Sequence, residues 1–407
     1  MLRFSITLLY GSALALALGG PADGQAPAKI GGDAEAVVKG NNVFALDLYG
    51  RLRQKDGNLF FSPYSISDAL AMTYAGARGQ TAEQMATTLH FALPAQRLHP
   101  AFGELIRSLN AGGKDRKYQL SVANALWGQK GYTFLPDFIR LTKDVYEGGL
   151  KEVDFVKTEE ARKAINHWVE EQTRDKIKDL IPEGALVSDT RLVLTNAIYF
   201  KSAWAEAFHE GATKKEDFHL GGGRKVQVPM MHTNEAFRYR DGGTFHALEL
   251  PYQSRQLSMI VLLPKKVDGL AELEKNLTSA RLDEWLKAMK VHQVNVALPK
   301  FKFSAEFSLK DVLSAMGMPL AFSKQADFTG MTTRERLYID KVLHKAFVDV
   351  NEKGTEAAAA TAVVVRPTSA PNYPRADFRA DHPFVFLIRE NRTGSILFLG
   401  RVANPQQ

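Results

Sequence analysis

The residues whose types and spacing could support catalysis in this chain are its histidines, serines and glycines, and their arrangement argues against an enzyme. The sequence has 10 histidines and no cysteine, which excludes a thiol nucleophile and a thiolate metal site. No histidines have metal-ligand spacing, and the nucleophile turn Gly-x-Ser-x-Gly and the phosphate loop are missing. A Ser-His-Asp triad stays open because its members come from distant parts of a chain. We expect no enzymatic activity, no cofactor and no metal.

One segment, residues 351–365, suits a change of conformation better than catalysis. It passes from Gly354 through a run of alanines into three valines. Alanine favours a surface helix. In an extended chain, however, Thr355 and every second residue after it would form one face of small side chains, with Glu356 on the opposite face. Helix and strand both stay open, and the segment could be a loop or helix in one state and a buried strand in another.

Four blocks of sequence carry a family resemblance. Residues 352–360 (Glu-Lys-Gly-Thr-Glu-Ala-Ala-Ala-Ala) resemble the hinge of an inhibitory serpin, and residues 378–388 (Phe-Arg-Ala-Asp-His-Pro-Phe-Val-Phe-Leu-Ile) resemble the serpin C-terminal signature. Residues 58–67 and 195–204 are similar to two further serpin blocks. The blocks stand in the family's order and span nearly the whole chain after its N-terminus.

The resemblance implies an α+β fold with one large mixed β-sheet, two smaller sheets and about nine helices. It implies a serpin domain over residues 34–407, an N-terminal extension at 27–33 and an exposed reactive-centre loop over about 352–380. The implied function is irreversible suicide inhibition of a serine endopeptidase by a monomer. In this mechanism the cleaved loop enters the main sheet and traps the acyl-enzyme. The alternative is a non-inhibitory serpin that acts as a carrier or chaperone.

The resemblance also implies roles for individual residues. The hinge would be Glu352, Gly354, Thr355, Glu356, Ala357, Ala358, Ala359 and Ala360. The shutter, a buried polar cluster that controls how tightly neighbouring strands close, would be Ser62, Ser65, Asn196 and His344. From its own surroundings in the sequence, His344 is more often a satisfied core histidine. The breach, where the loop first enters the sheet, would be Trp204, Lys300 and Glu352.

Two counts place the reactive bond differently. Counting forward from Gly354 with the family's spacing gives Thr368-Ser369, whereas counting back from Pro383 gives a bond near Asn372. We prefer the forward count because the length between hinge and bond fixes how far the protease is carried. The weaker candidates are Val365-Arg366 and Ala370-Pro371.

The residues around the preferred bond indicate the kind of protease. They are small or β-branched, which suits a shallow primary pocket. Arg366 would attract a trypsin-like enzyme, but Pro367 follows it and makes a poor substrate bond. We therefore expect an elastase-like or subtilisin-like serine protease as the partner.

The N-terminus predicts export. Arg3 precedes an apolar run that ends at Leu18, and small residues follow up to Ala26. This pattern is typical of a secretory signal peptide over residues 1–26, and a buried N-terminal helix is the alternative. The apolar run is short for a transmembrane helix. We expect a secreted protein, periplasmic if bacterial, with no membrane association after signal removal.

The net charge of +7 and the pI near 9.2 would permit binding to a polyanion. The densest basic cluster is Lys114, Arg116 and Lys117. Its charges are sparse and interrupted, which favours a solvated loop over a polyanion site. No nucleic-acid motif is present.

Hydrophobic periodicity predicts the elements that must position these residues. Helices are predicted at 41–53, 65–74 and 158–180, and Thr81 resembles a capping residue. Strands are predicted at 191–200, 257–263, 292–298, 384–388 and 395–399. The last two strands would form a hairpin across 391–394.

Overall fold

The computed structural model describes residues 30–110, 117–146, 148–356 and 372–407. Within these ranges the chain forms nine α-helices, two short 3-10 helices (Glu210–Ala212 and Pro319–Phe322) and fifteen strands. The helices are α1 (Gly32–Leu52), α2 (Pro63–Tyr74), α3 (Gly79–Thr88), α4 (Ala95–Asn110), α5 (Pro136–Tyr146), α6 (Thr158–Gln172), α7 (Leu270–Asn276), α8 (Ser279–Lys287) and α9 (Lys310–Met316). The strands are β1 (Leu59–Phe61), β2 (Tyr118–Gln129), β3 (Leu150–Val153), β4 (Leu192–Ala203), β5 (Lys214–Gly221), β6 (Arg224–Asp241), β7 (Phe245–Pro251), β8 (Leu257–Pro264), β9 (Lys290–Pro299), β10 (Phe301–Ser308), β11 (Lys341–Asn351), β12 (Gly354–Thr355), β13 (Arg375–Arg379), β14 (Phe384–Glu390) and β15 (Ile396–Val402).

A six-stranded sheet of mixed direction has the strand order β10-β11-β12-β4-β2-β3. Strands β2 and β4 run antiparallel, and β4 and β11 run parallel. Strand β4 is buried almost throughout, because it is covered on both faces, and this explains its continuous apolar sequence. The predicted α+β fold with a large mixed sheet is confirmed.

The second sheet has nine strands in the order β1-β15-β14-β8-β7-β6-β9-β13, with β5 paired to β6. Strand β6 is 18 residues long and pairs with β5, β7 and β9 along its length. The two smaller sheets of the prediction are therefore continuous with each other through β6. The predicted hairpin between β14 and β15 is present.

Two helices cover the faces of the six-stranded sheet. Helix α2 contacts β2 and β4 on one side and β15 on the other, and 11 of its 12 residues are buried. Helix α6 covers the opposite face of the sheet, where Ile165 and Val169 pack with Val193, Ala197 and Leu343. An inserted strand would therefore have one face toward α2 and the other toward α6.

The predicted helices are present, but some of their ends were wrong. Helix α1 begins at Gly32, well before residue 41. Helix α6 ends at Gln172 instead of residue 180, because Arg174 and Asp175 have positive φ, which a right-handed helix cannot contain. Thr81 lies inside α3, where its hydroxyl accepts the backbone N–H of Asp327 at 2.9 Å, so it is not a cap.

The prediction that the loop over about 352–380 is exposed was wrong at both ends. Gly354 and Thr355 form β12 inside the six-stranded sheet, and residues 375–379 form β13 on the edge of the other sheet. Phe378 and Ala380 are fully buried. Both ends of the segment are paired because each continues the backbone hydrogen bonding of a neighbouring strand.

Candidate functional site

The site is a slot between strands β4 and β11. Strand β12 fills its upper end, where Thr355 pairs with Val350 of β11 and with Ser202 of β4. Beyond β12 the two strands pair directly with each other, from Phe347 and Tyr199 onward. A longer inserted strand would have to separate β4 from β11 along this parallel contact.

The hinge residue Thr355 is packed into this slot as a core residue. It is 1% exposed, and its hydroxyl lies 2.7 Å from the hydroxyl of Tyr252. Tyr252 is itself fully buried, and burial raises its pKa, so the phenol stays neutral. The small β-branched side chain fits a space that also satisfies its polar atom.

The breach residues meet at the top of the slot. The indole of Trp204 stacks on Tyr252 with 4.7 Å between ring centres, and its Nε1 donates to the Asn351 carbonyl at 3.0 Å. Lys300 Nζ lies 2.9 Å from the Glu352 carboxylate. Thr213 donates to the same carboxylate at 2.8 Å.

The charge of Glu352 follows from these partners. Burial alone would raise its pKa, but the hydrogen bonds from Lys300 and Thr213 outweigh burial and hold that pKa below its ordinary value. Glu352 therefore stays ionised at neutral pH and ties the hairpin between β11 and β12 to the end of β9.

The shutter residues are joined in one buried network between α2, β2, β4 and β11. His344 Nε2 accepts the backbone N–H of Ser62 at 3.1 Å, and its Nδ1 bonds to the Asn196 side-chain oxygen. Ser65 donates to the Asn124 side chain at 3.0 Å. Asn196 Nδ2 donates to both Ser65 and Asn124. The network links neighbouring strands across the line along which the slot would open.

Burial controls the charge of His344. The side chain is fully buried, and burial lowers its pKa to about 3, although the bond to Asn196 opposes this shift. The imidazole is therefore neutral at physiological pH, which is what allows Nε2 to accept a hydrogen bond.

Sequence reasoning missed Asn124, which is hydrogen-bonded to two of the predicted shutter residues, Ser65 and Asn196. Its Nδ2 donates to the Ser65 carbonyl at 3.1 Å and to Asp68 at 2.6 Å. The available signal was its place in β2, where an amide stands in an otherwise small and apolar run from Ala123 to Leu126. Tyr252 was missed too, because nothing local distinguishes it from other core tyrosines.

Several predicted residues lie outside the described ranges. They are the hinge alanines Ala357, Ala358, Ala359 and Ala360, the reactive-bond residues Thr368 and Ser369, the signal segment 1–26, and Lys114 and Arg116 of the basic cluster. The predictions made for them stay predictions.

Two further properties follow from the described ranges. No three His, Asp or Glu side chains there are grouped to hold a metal ion. No helix in that part of the chain is long and apolar enough to cross a membrane.

Sequence comparison identifies the family to which this fold and its slot belong. A family model described as Serpin (serine protease inhibitor) matches residues 39–405, so the chain belongs to the serpin family.

Individual relatives cover nearly all of the chain. Pig leukocyte elastase inhibitor is 44% identical over 382 residues, which is 91% of this chain and 100% of that protein. Human serpin B4 is 42% identical over 391 residues, with the same two coverages. The crystal structure of human thyroxine-binding globulin with bound thyroxine superimposes with a TM-score of 0.82 at 35% identity and covers 92% of this chain and 99% of that one.

Two predictions need correction in view of these relatives. The prediction of a secreted protein is wrong by this comparison, because the relatives that align over their full length are leukocyte elastase inhibitors and serpins B3 and B4. The prediction that the protein has no enzymatic activity also needs correction. The family model and the elastase-inhibitor relatives are named as inhibitors, and this describes a class of protein without showing that an activity is absent.

Proposed function

We propose that this protein is a suicide inhibitor of a serine protease that acts by inserting its cleaved loop between β4 and β11. The observation that carries the proposal is β12. Two residues of the hinge, Gly354 and Thr355, already occupy the slot, in the register that a longer strand would continue. The sequence after β12 supports the same reading, because four alanines follow Glu356 and none would obstruct a tightly packed sheet.

The chemistry would come from the protease, and the conformational work from this chain. The protease serine hydroxyl adds to the carbonyl carbon of the reactive bond, the amide C–N bond breaks, and the departing amine takes up the proton from the protease histidine. An ester then joins the protease to the shortened loop. Insertion of that loop gains backbone hydrogen bonds and burial before water can hydrolyse the ester. The intact protein must therefore be kinetically trapped above its inserted form.

The hinge, breach and shutter would divide this work. Gly354 and Thr355 begin the inserted strand, and the contact of Lys300 with Glu352 fixes the point of entry. The bond between His344 and Asn196 would keep β11 and β4 closed until the loop is cut. These three roles are part of the proposal, and the distances given above support them.

The partner we propose is an elastase-like or subtilisin-like protease, which would be trapped after it cleaves the bond Thr368-Ser369. Thr368 lies thirteen residues after Thr355 by the sequence numbering, a length that would carry the ester along most of the sheet. The small and β-branched residues before the bond suit a shallow pocket. The names of the relatives, leukocyte elastase inhibitors, support the elastase-like choice.

The experiment is incubation of the protein with pancreatic elastase, subtilisin, trypsin and chymotrypsin, followed by denaturing electrophoresis. The proposal expects a complex that survives SDS with elastase or subtilisin and loss of protease activity in proportion to the inhibitor added. Cleavage by every protease without a stable complex would refute inhibition. It would favour the carrier alternative, for which a structural relative that binds thyroxine is the precedent.

A further inference from the structure

Glu356, at the point where the described chain leaves the six-stranded sheet, has two side chains beside it. Its carboxylate is ion-paired with Lys176. Tyr199 lies close by, and burial and the negative charge of Glu356 together raise the pKa of the Tyr199 hydroxyl. The Glu356 side chain is 14% exposed, while that of Lys176 is 42% exposed. We refer to Lys176, Tyr199 and Glu356 as the clasp.

The clasp lies where the sheet would have to open next. Tyr199 pairs with Phe347 at the upper end of the direct contact between β4 and β11. Thr355 pairs with Ser202, so an extended continuation of β12 would bring Glu356 opposite Lys201 and residue 358 opposite Tyr199. The Glu356 side chain therefore lies near Tyr199, the residue that would pair with residue 358 in a longer strand.

The backbone of Glu356 is also held away from the strand conformation. Its φ is 45°, in the left-handed region that is unfavourable for residues other than glycine, asparagine and aspartate. Its N–H still donates to the Asp349 carbonyl at 2.6 Å. Further insertion would require this residue to become extended, and its carboxylate would then have to leave Tyr199.

Lys176 is fixed above the sheet by the end of α6. The Thr173 hydroxyl accepts the Ile177 N–H at 3.2 Å, and the backbone N–H of Lys176 donates to the Thr173 carbonyl at 3.1 Å. Lys345 of β11 donates to the Lys178 carbonyl at 3.0 Å. The segment that follows α6 is thus anchored to β11 and presents Lys176 to the opening.

We propose that Lys176 is a positioning residue that, through the clasp, stops the hinge after Thr355 in the uncleaved protein and must be released before insertion continues. This inference rests on the proposed function and names a residue that regulates it. Contacts that are present in the starting state and absent from the transition state slow the transition. Loss of the clasp should therefore speed opening of the slot.

The test measures slot opening without any protease. A labelled synthetic peptide with the sequence of residues 355–368 is incubated with the uncleaved protein, and its incorporation into the sheet is followed over time. Lys176→Gln should take up the peptide about three to ten times faster than the wild type, as expected for an ion pair in which Lys176 is partly exposed and Glu356 is largely buried. The matched control is Lys163→Gln, an exposed lysine on α6 with the same change of charge, and it should match the wild type.

Coupling separates the clasp from a general loosening of the fold. The double variant Lys176→Gln/Glu356→Gln should take up peptide no faster than Lys176→Gln alone, because both changes break one contact. Exchange of the charges in Lys176→Glu/Glu356→Lys should restore a rate close to the wild type. A merely structural role of Lys176 would give additive effects and no restoration.

The outcomes also separate this inference from the proposed function. The clasp would be overturned if Lys176→Gln took up peptide at the wild-type rate, or if the effects of the two substitutions on that rate were additive in the double variant. This holds even if stable protease complexes form. Faster uptake by Lys176→Gln with no protease complex would support the clasp and refute inhibition. Absence of uptake by both the wild type and Lys176→Gln would overturn the clasp, because removal of its contact would not open the slot.

Discussion

At the scale of single residues, the site depends on polar groups that are buried and fully matched. Thr355 is satisfied by Tyr252, Glu352 by Lys300 and Thr213, and His344 by Ser62 and Asn196. A buried polar group without a partner is costly. Each of these residues is therefore a place where one substitution should alter a specific step.

Replacement of Thr355 by arginine should convert the protein from an inhibitor into a substrate. The position is 1% exposed, so the guanidinium would have to be buried without a counter-ion. Insertion of the loop would slow, so hydrolysis of the ester would become faster than insertion. We expect the moles of protein consumed per mole of protease inhibited to rise at least about tenfold, as measured by titration of protease activity. Thr355→Ser, which keeps the hydroxyl, is the control. An equal ratio of protein consumed to protease inhibited for the arginine variant and the wild type would count against insertion.

His344 should make the stability of the protein depend on pH. Its pKa of about 3 in the folded state lies below the ordinary value of 6.5, so the unfolded chain binds more protons between these values. The contribution is complete above pH 6.5 and is lost as the pH falls toward 3. Between pH 7.5 and 5.0 the wild type should lose about 2 kcal/mol of unfolding free energy from this residue.

Urea unfolding at these two pH values measures the effect. His344→Gln cannot undergo this titration, so the stability difference between wild type and variant should shrink by that amount at pH 5.0. His167, whose side chain is 73% exposed, provides the control substitution His167→Gln. A stability difference that is the same at both pH values would show that His344 is not buried in the neutral form.

The sequence was informative about these residues to different degrees. Gly354, Thr355 and His344 could be singled out because they stand in continuous motifs, and the roles given to them stay predictions. Asn124 and Tyr252 could not, because their importance comes from contacts with Ser65 and Thr355 that lie far away along the chain. Lys176 was hidden by the prediction that α6 continues to residue 180, whereas the helix ends at Gln172 and leaves Lys176 in the segment beyond it.

At the scale of elements, the important feature is the relation of β12 to β4 and β11. A two-residue strand separates the upper ends of two strands that are otherwise paired in parallel. Periodicity could predict β4 from its apolar sequence, and it left residues 355–365 open to either a strand or a helix. It could not show how far β12 enters, because that balance depends on Glu356 and its tertiary partners.

The position of the reactive bond belongs to this scale, because it fixes the length of the strand to be inserted. We expect the peptide released on reaction with elastase or subtilisin to begin at Ser369. Mass spectrometry and N-terminal sequencing of the released fragment would identify it. A fragment that begins at Tyr373 would instead support the count from Pro383 and imply a longer inserted strand.

At the scale of the whole molecule, the account requires the intact fold to be less stable than the one it can reach. The fold class and the mixed sheet could be predicted from the order of four sequence blocks, since these positions pack into one core. The joining of the two smaller sheets through β6 could not, because it depends on pairing along an 18-residue strand. Metastability itself leaves no mark in composition or periodicity, and it has to be measured.

The most direct measurement of the central claim is thermal unfolding of the protein before and after a single cut in the loop between Glu356 and Arg375. Insertion of the cut loop would add a strand hydrogen-bonded on both sides, so the unfolding midpoint should rise by at least about 10 °C. The Thr355→Arg variant, cut in the same way, should show a much smaller rise. Equal midpoints for the cut and intact wild-type protein would contradict insertion and with it the proposed mechanism.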